Sequence, residues 1–335
     1  MGWFGRNHMP VEGRTILLTG GSEGTGLSAA RIFSSKGANI IIVSRSLVKL
    51  EEAIKSIKAV AKSPETQRFH IITSDVSKSS YAEDVVSNAT VWNNGQPPDI
   101  VWCLAGLATP MLWTDDRSIE AARYNMDVNY FGTAEMSRAI MRAWLLPNQQ
   151  TEHPSSQERK QALAQRSRPV PKHIIFTGSV LSAFSLAGHG TYAPSKFALR
   201  ALADALVMEV RLYPDVPIEV HFVMPNSITT AGYDRENETK PEVTVQLEGA
   251  DKPQDPDTVA RLAIAGIEKG RYFITTSFVG DLMRWSAMGN SPRDNWFVDT
   301  LMGLILPFIL LFIVWDMHSQ VSTWGKKKNS TKSRN

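Results

Sequence analysis

Tyr192 and Lys196 stand four residues apart in Tyr192-Ala193-Pro194-Ser195-Lys196. On a helix that spacing puts both side chains on one face, the ammonium a turn beyond the phenol. Their ordinary pKa values, near ~10 and ~10.4, make each a poor proton carrier at neutral pH. A cation beside the phenol favours tyrosinate, so Lys196 is expected to draw the Tyr192 pKa down towards working pH. The phenol can then pass a proton to or from a substrate oxygen. Ser179 closes an apolar run thirteen residues earlier and offers a hydroxyl to orient a carbonyl. Asn129, in Asn129-Tyr130-Phe131-Gly132, offers an amide to a water-mediated proton path. Each residue has a plainer reading: a helix-face aromatic, a solvated charge, a strand-end cap, a satisfied core amide. It is their joint occurrence, behind the turn described next, that favours chemistry.

That turn is Thr19-Gly20-Gly21-Ser22-Glu23-Gly24-Thr25-Gly26, between a first strand and a first helix. Gly20 permits the tight turn, Gly24 lets backbone approach a pyrophosphate, and Gly26 lets helix and strand pack closely. With Ser22 and Glu23, these residues form a dinucleotide cradle whose helix-start N–H groups bind phosphate. At the end of the second strand, where an acid would hold the ribose of NAD, the chain reads Ser44-Arg45-Ser46 with Lys49 a turn later. Arg45 and Lys49 suit a 2′-phosphate, so NADPH is the expected cofactor. The plainer reading is two solvated cations. Asp75, followed by Val76 after the third strand, is placed to accept from an adenine amino group or to cap a turn. Ser227, past the sixth strand, is counted with the cofactor residues.

The elements that must position these groups alternate. The runs TILLT, NIIIVS, FHIITSDV, DIVWCLAG, HIIFTGS, IEVHFVMP and RYFITTS read as strands. Between them lie expected helices over 27–36, 47–61, 78–93, 118–146, 191–212 and 257–269. Strands apolar on both faces that alternate with helices predict an α/β fold, a doubly wound parallel sheet in a single domain over 10–280. Two polar stretches interrupt it: 148–171 as a surface insertion, and 229–256 as a loop at the carboxyl edge, where ligands bind.

Composition narrows the class. The 335 residues are 43% hydrophobic and 21% charged, ordinary for a globular chain. The single Cys103 allows no internal disulfide and points to a reducing compartment. Seven scattered histidines without H-E-x-x-H give no expectation of a metal site. Net charge is +3, but the tail supplies Lys326, Lys327, Lys328, Lys332 and Arg334; without those five the rest carries −2, so no nucleic acid partner is expected. The start, MGWFGRNHMPVEGR, lacks the apolar run of a signal peptide. From Phe297 to Trp315 the chain is apolar apart from Asp299, close to the ~20 residues that span a bilayer core. Residues 297–315 are therefore a membrane segment and 316–335 a basic tail; Pro307 and Gly303 leave open a bent or re-entrant form.

On T-G-x-x-x-G-x-G, Asn129, Ser179 and Y-x-x-x-K in this order, the sequence resembles the short-chain dehydrogenase/reductase family over residues 10–280. The resemblance implies a Rossmann-type fold, with Asn129, Ser179, Tyr192 and Lys196 as the catalytic set and Lys196 also touching the nicotinamide ribose. The residues G-G-S-x-G, Arg45, Lys49 and YAPSKFALRALADALVMEV, with the apolar C-terminal segment, resemble members that reduce a long-chain sphingoid ketone with NADPH. That implies reduction of 3-ketosphinganine to sphinganine on the cytosolic face of the endoplasmic reticulum membrane, among membrane lipid. A homodimer is also expected, though no residue specifies one. Reduction of another apolar ketone (steroid, retinoid or fatty-acyl) and a non-catalytic NADP-binding scaffold are the alternatives. Two departures stand out: Cys103-Leu104-Ala105-Gly106 lacks the family's Asn, and Pro225-Asn226 replaces the common Pro-Gly.

Overall fold

In a computed structural model, residues 6–146, 170–249 and 252–332 are described. The seven apolar runs form one sheet: β1 (Thr15–Thr19), β2 (Asn39–Ser44), β3 (Phe69–Thr73), β4 (Ile100–Cys103), β5 (Lys172–Thr177), β6 (Ile218–Met224) and β7 (Phe273–Thr275). All pairings are parallel, in the order β3-β2-β1-β4-β5-β6-β7. The chain reverses direction between β3 and β4, and the crevice beside that switch point is where such sheets take ligands.

Side chains alternate across the pleat, which is why every residue of β1 is buried. Ile16 and Leu18 join one apolar layer with Phe33, Ile42, Trp102 and Ala263, whereas Leu17 joins the other with Val43, Val101, Phe176 and Leu206. Helices α1 (Gly24–Ser35), α2 (Leu47–Lys58) and α9 (Pro256–Glu268) cover the first layer. Helices α3 (Tyr81–Trp92), α5 (Gly132–Leu145) and α6 (Ala193–Glu209) cover the second. Burying each large side chain in such a layer contributes roughly 1.5–3 kcal/mol.

Three features differ from the sequence reading. Helix α1 begins at Gly24, inside the glycine turn, because the dihedral freedom of Gly24 (φ 54°) lets the helix start there. The long helix expected over 118–146 is α4 (Ser118–Asn125) and α5 joined by a wider π-helical turn at Met126–Phe131. The stretch 229–256 is not a simple loop: it carries α7 (Ala231–Thr239), capped by Thr230, and α8 (Glu242–Glu248) after Pro241. The polar insertion 148–171 lies outside the described residues except for Val170 and Pro171.

After α10 (Phe278–Ser286), a continuous helix α11 (Trp296–Lys332) contains Pro307 and carries the first part of the basic tail. A proline ring conflicts with the carbonyl four residues back, here that of Gly303, whose backbone is the freest to adjust. Helix α11 runs continuously through Pro307. Asp299, the acid in its apolar run, faces the domain: it accepts from the Arg284 guanidinium at 2.9 Å and from the Trp285 indole at 2.7 Å.

Candidate active site

The carboxyl ends of β1, β4, β5 and β6 open into a cavity of about 1210 Å³. Its walls include Gly20, Ser22, Glu23, Gly24, Gly26, Arg45, Asp75, Val76, Ser179, Tyr192, Lys196 and Ser227. Of the residues expected from sequence, only Lys49 and Asn129 lie off this wall.

The glycine turn is shaped for close approach. Gly20 has φ 69°, and a Cβ there would sit 2.7 Å from the Ala105 nitrogen; one on Gly26 would meet the Gly20 carbonyl at 2.1 Å. Glu23, at the cap position of α1, makes no side-chain cap, so no side chain takes up the first N–H groups of the helix there. Thr25 Oγ1 is buried without a partner on the same wall. Free N–H groups, an orphaned hydroxyl and a cradle without Cβ atoms fit a pyrophosphate. The Leu104-Ala105 backbone is clamped by Thr19, through Leu104 N–H to the Thr19 carbonyl at 3.1 Å and Ala105 N–H to its hydroxyl at 3.3 Å.

Arg45 reaches the cavity and donates to the Tyr124 hydroxyl at 3.2 Å. Lys49 pairs with Glu23 at 2.6 Å, both about half exposed, so the second cation is committed to the turn. Asp75 Oδ1 accepts the Ser77 N–H at 3.0 Å and hydroxyl at 2.9 Å, the turn-capping alternative. Burial works to raise the Asp75 carboxyl, but the Ser77 bonds and then Arg45 outweigh it and leave it below its ordinary value.

Ser179 ends β5 as the cap of a short 3-10 turn, and its Oγ accepts from Leu181 N–H at 3.2 Å. Tyr192 is the cap residue of α6, its N–H donating to the His189 carbonyl at 3.0 Å. Lys196 Nζ donates to the Thr177 carbonyl at 2.9 Å and lies 5.9 Å from the Tyr192 ring centre. The electrostatics correct the sequence reading. Burial, then Glu236, push the Tyr192 phenol well above its ordinary pKa, opposed by a hydrogen bond from Ser179. Burial lowers the Lys196 ammonium to about 8. With Nζ committed to a carbonyl, desolvation dominates, and Tyr192 is a protonated donor rather than a tyrosinate.

Asn129 sits in the π-helical turn, wholly buried. Its Nδ2 donates to the Leu107 carbonyl at 2.9 Å and Ser195 Oγ at 3.0 Å, and its Oδ1 accepts the Leu107 N–H at 2.9 Å. A Cβ on Gly106 would lie 3.2 Å from Asn129 Oδ1 and 3.5 Å from Lys196 Nζ, so only that glycine separates amide from ammonium. Asn226, at the second departure, keeps an ordinary negative φ and accepts the Ser277 hydroxyl at 2.5 Å.

A short chain dehydrogenase model matches residues 14–152. The 3-ketodihydrosphingosine reductase of Neurospora crassa is 54% identical over 329 residues, 98% of this chain and 87% of that protein. The chain belongs to the short-chain dehydrogenase family. The 3-ketodihydrosphingosine reductase of Aspergillus fumigatus is 39% identical, over 98% of this chain and 89% of that one. The 3-dehydrosphinganine reductase of Arabidopsis thaliana is 29% identical, over 96% and 89%. A Burkholderia cenocepacia short chain dehydrogenase solved in complex with NADP shares the fold, with TM-score 0.60 and 18% identity over 84% of this chain and 95% of that one. As a short-chain dehydrogenase, the protein is an oxidoreductase with a Rossmann-type sheet.

Several cavity residues of this short-chain dehydrogenase escaped sequence reasoning. Thr25 falls at an unspecified position of the glycine motif. His189, Glu236 and Glu248 line the cavity and bring their donor atoms within 4.8 Å of one another. Only the i, i+4 pair Glu236 and Lys240 hinted at them. Leu310, Ile313 and Met317 of α11 line it too, which no local pattern shows.

Proposed function

We propose that the protein reduces 3-ketosphinganine to sphinganine with NADPH, at the cytosolic face of the endoplasmic reticulum membrane. The observation that carries the substrate is the 54% identity, across 98% of this chain, to a 3-ketodihydrosphingosine reductase. The phenol and hydroxyl that such a reduction needs lie on the wall of one cavity with the glycine turn.

NADPH would be held by Gly20, Ser22, Glu23, Gly24, Thr25 and Gly26 at its pyrophosphate. Arg45 would hold its 2′-phosphate, with Asp75, Val76 and Ser227 along the remaining wall. When bound, it supplies a hydride to the ketone carbon. Tyr192 gives its phenolic proton to the ketone oxygen as negative charge grows there, the proton being present at working pH. Ser179 donates a hydrogen bond to the same oxygen. Lys196 holds the ribose, and with Asn129 carries a proton back to the phenol after each turnover.

Helix α11 supports the membrane reading. Within Trp296–Lys328 the most apolar 18-residue window has mean hydropathy 2.5, and only 11% of that window is buried. Phe308, Leu311, Phe312 and Trp315 are exposed, an apolar surface that lipid would cover. Because Leu310, Ile313 and Met317 also wall the cavity, an alkyl chain leaving the bilayer would follow α11 to Tyr192. The reading includes a homodimer, measured by sedimentation of the solubilised protein.

The test is full-length protein in detergent with NADPH and a panel of ketosphinganine, ketosteroid and retinal. Sphinganine is the expected product. Reduction of a steroid or retinal alone would move the substrate to another apolar ketone, and NADPH binding without any turnover would make the protein a scaffold. For topology, a chain ending at Leu306 keeps the Arg284–Asp299 pair and should leave the membrane fraction. A glycosidase shift at the N-x-[ST] sequons Asn88-Ala89-Thr90 or Asn237-Glu238-Thr239 in the full-length protein would place the domain on the lumenal side.

A further inference from the structure

One wall of the cavity carries charge that hydride and proton delivery leave unused. Glu236 from α7, Glu248 from α8 and His189 from the turn before Tyr192 all line it. Lys240, its side chain 2% exposed, bridges the two carboxylates, 3.0 Å from Glu236 Oε1 and 2.6 Å from Glu248 Oε2. It also lies 5.3 Å from the Tyr233 ring centre. Glu248 is fully used, since its Oε1 takes His189 Nε2 at 2.6 Å.

Two groups are left over. Glu236 Oε2 has no partner among the described residues, although the side chain is only 18% exposed. His189 is 1% exposed, and its Nδ1 is buried without a partner among the described residues. With Nε2–H donating to Glu248, Nδ1 is left as an acceptor. The two carboxylates share a single lysine ammonium, that of Lys240. A partly buried carboxylate that shares its one cation with a second carboxylate is under-compensated, and a ligand cation would offset that cost. Glu236 also lies close enough to disfavour ionisation of the Tyr192 phenol. The His189 and Tyr192 rings are 6.0 Å apart between centres.

The chemistry of the proposed substrate matches this shortfall. The carbon beside its ketone carries a primary amine, and the next carbon carries a hydroxyl. Amine nitrogen and ketone oxygen are three bonds apart, so holding the oxygen at Tyr192 and Ser179 puts the amine within a few ångströms of it. We propose that Glu236, steadied by Lys240, is the receptor for the substrate ammonium, and that His189 Nδ1 accepts from the neighbouring hydroxyl. The site selects amino ketones over plain ketones of equal length. This rests on the reduction proposed above.

The test compares kcat/KM for 3-ketosphinganine with that for the same long-chain hydroxy ketone lacking the amine. Wild type should favour the amino ketone by on the order of tenfold or more, as for a hydrogen bond to a charged group. E236Q should bring that ratio close to one, with NADPH binding measured on the same samples. A merely structural Glu236 would lower both rates and leave the ratio at its wild-type value, which would overturn the assignment. A second arm needs no variant: a long-chain primary amine should inhibit wild type, and the alcohol of equal length should not. Equal inhibition, or equal rates on both ketones, would overturn amine recognition while leaving the reductase intact. Reduction of neither ketone would instead defeat the underlying function. If E236Q fails to fold, the wild-type ratio and the inhibition pair decide.

Discussion

Strands β5 and β6 are bordered by polar residues at both ends, and the ends differ in what those residues have left to do. At the amino end, His173 Nδ1 and His221 Nε2 lie 3.0 Å apart, and His221 Nδ1 donates to the Arg271 carbonyl at 2.6 Å. Lys172 pairs there with Asp99 at 2.6 Å, and Asp99 also takes the Thr15 N–H at 3.0 Å. At the carboxyl end, Ser179, Tyr192, Lys196 and Glu236 face a cavity. Groups that are paired within the protein fix strand register, and groups left facing space are available to a ligand. Buried and partly buried groups stand at both ends, and the buried His173 Nε2 lacks a partner among the described residues, so neither burial nor an unpaired atom alone marks the site. Residual hydrogen-bonding capacity beside an opening does.

Substitutions at the two ends should therefore fail differently. Lys196→Met should lose turnover by about 10²–10⁴-fold, as expected for a group supporting acid catalysis. It should also weaken NADPH binding, and fluorescence titration beside an activity assay separates the two effects. Lys172→Met at the amino end should leave both measurements near wild type.

The histidine pair gives the amino end a pH signature. Burial, then each histidine's neighbours, lower His173 to about 2, and His221 is lowered to about 4, chiefly by burial. The unfolded chain takes up these protons near pH ~6.5 and the folded chain does not, so stability is lost as pH falls from there towards 4. Each histidine contributes up to about 1.4 kcal/mol per pH unit, about 3 kcal/mol for His221 across the window. The Glu219 carboxyl, raised by burial, offsets part of this. Denaturant melts of wild type and His221→Gln between pH 7 and 4 should show a shallower loss in the variant.

Smaller effects belong to the cofactor cations. Arg45→Asp should cut NADPH-over-NADH preference by roughly ten- to hundredfold, the loss of a charged contact of about 1.5–3 kcal/mol. Lys49→Ala should change it least, because Lys49 is spent on Glu23 in a half-exposed pair, worth ~0–1 kcal/mol. Equal effects from both would show that the 2′-phosphate is held by both cations.

The fold was legible because parallel strands buried on both faces read as unbroken apolar runs, as NIIIVS does. The glycine turn was legible because its spacing meets a steric demand that no other residue meets. Helix α7 was not, since AGYDRENET has no apolar stripe and is held by a Thr230 cap and by Lys240, which pairs with Glu236 and with Glu248 of the next helix. The π-helical turn at Met126–Phe131 has no period of its own, and only the contacts of Asn129 reveal its use. The Tyr192 pKa was misread because the Lys196 charge was weighed without the burial of both groups, which only the folded chain supplies. Pro307 suggested a break, yet α11 continues through it.

The central claim is that the protonated Tyr192 phenol on the cavity wall delivers the proton in an NADPH-dependent ketone reduction. Tyr272 provides the control: it too is a phenol raised chiefly by burial, but it is spent on Asp204 at 2.5 Å, away from the cavity. The decisive measurement is single-turnover NADPH consumption on mixing with 3-ketosphinganine, for wild type, Tyr192→Phe and Tyr272→Phe, with the NADPH dissociation constant taken on each sample. Tyr192→Phe should bind NADPH as wild type does and be slower by about 10²–10⁴-fold, while Tyr272→Phe keeps the wild-type rate. Wild-type consumption by Tyr192→Phe would contradict the account.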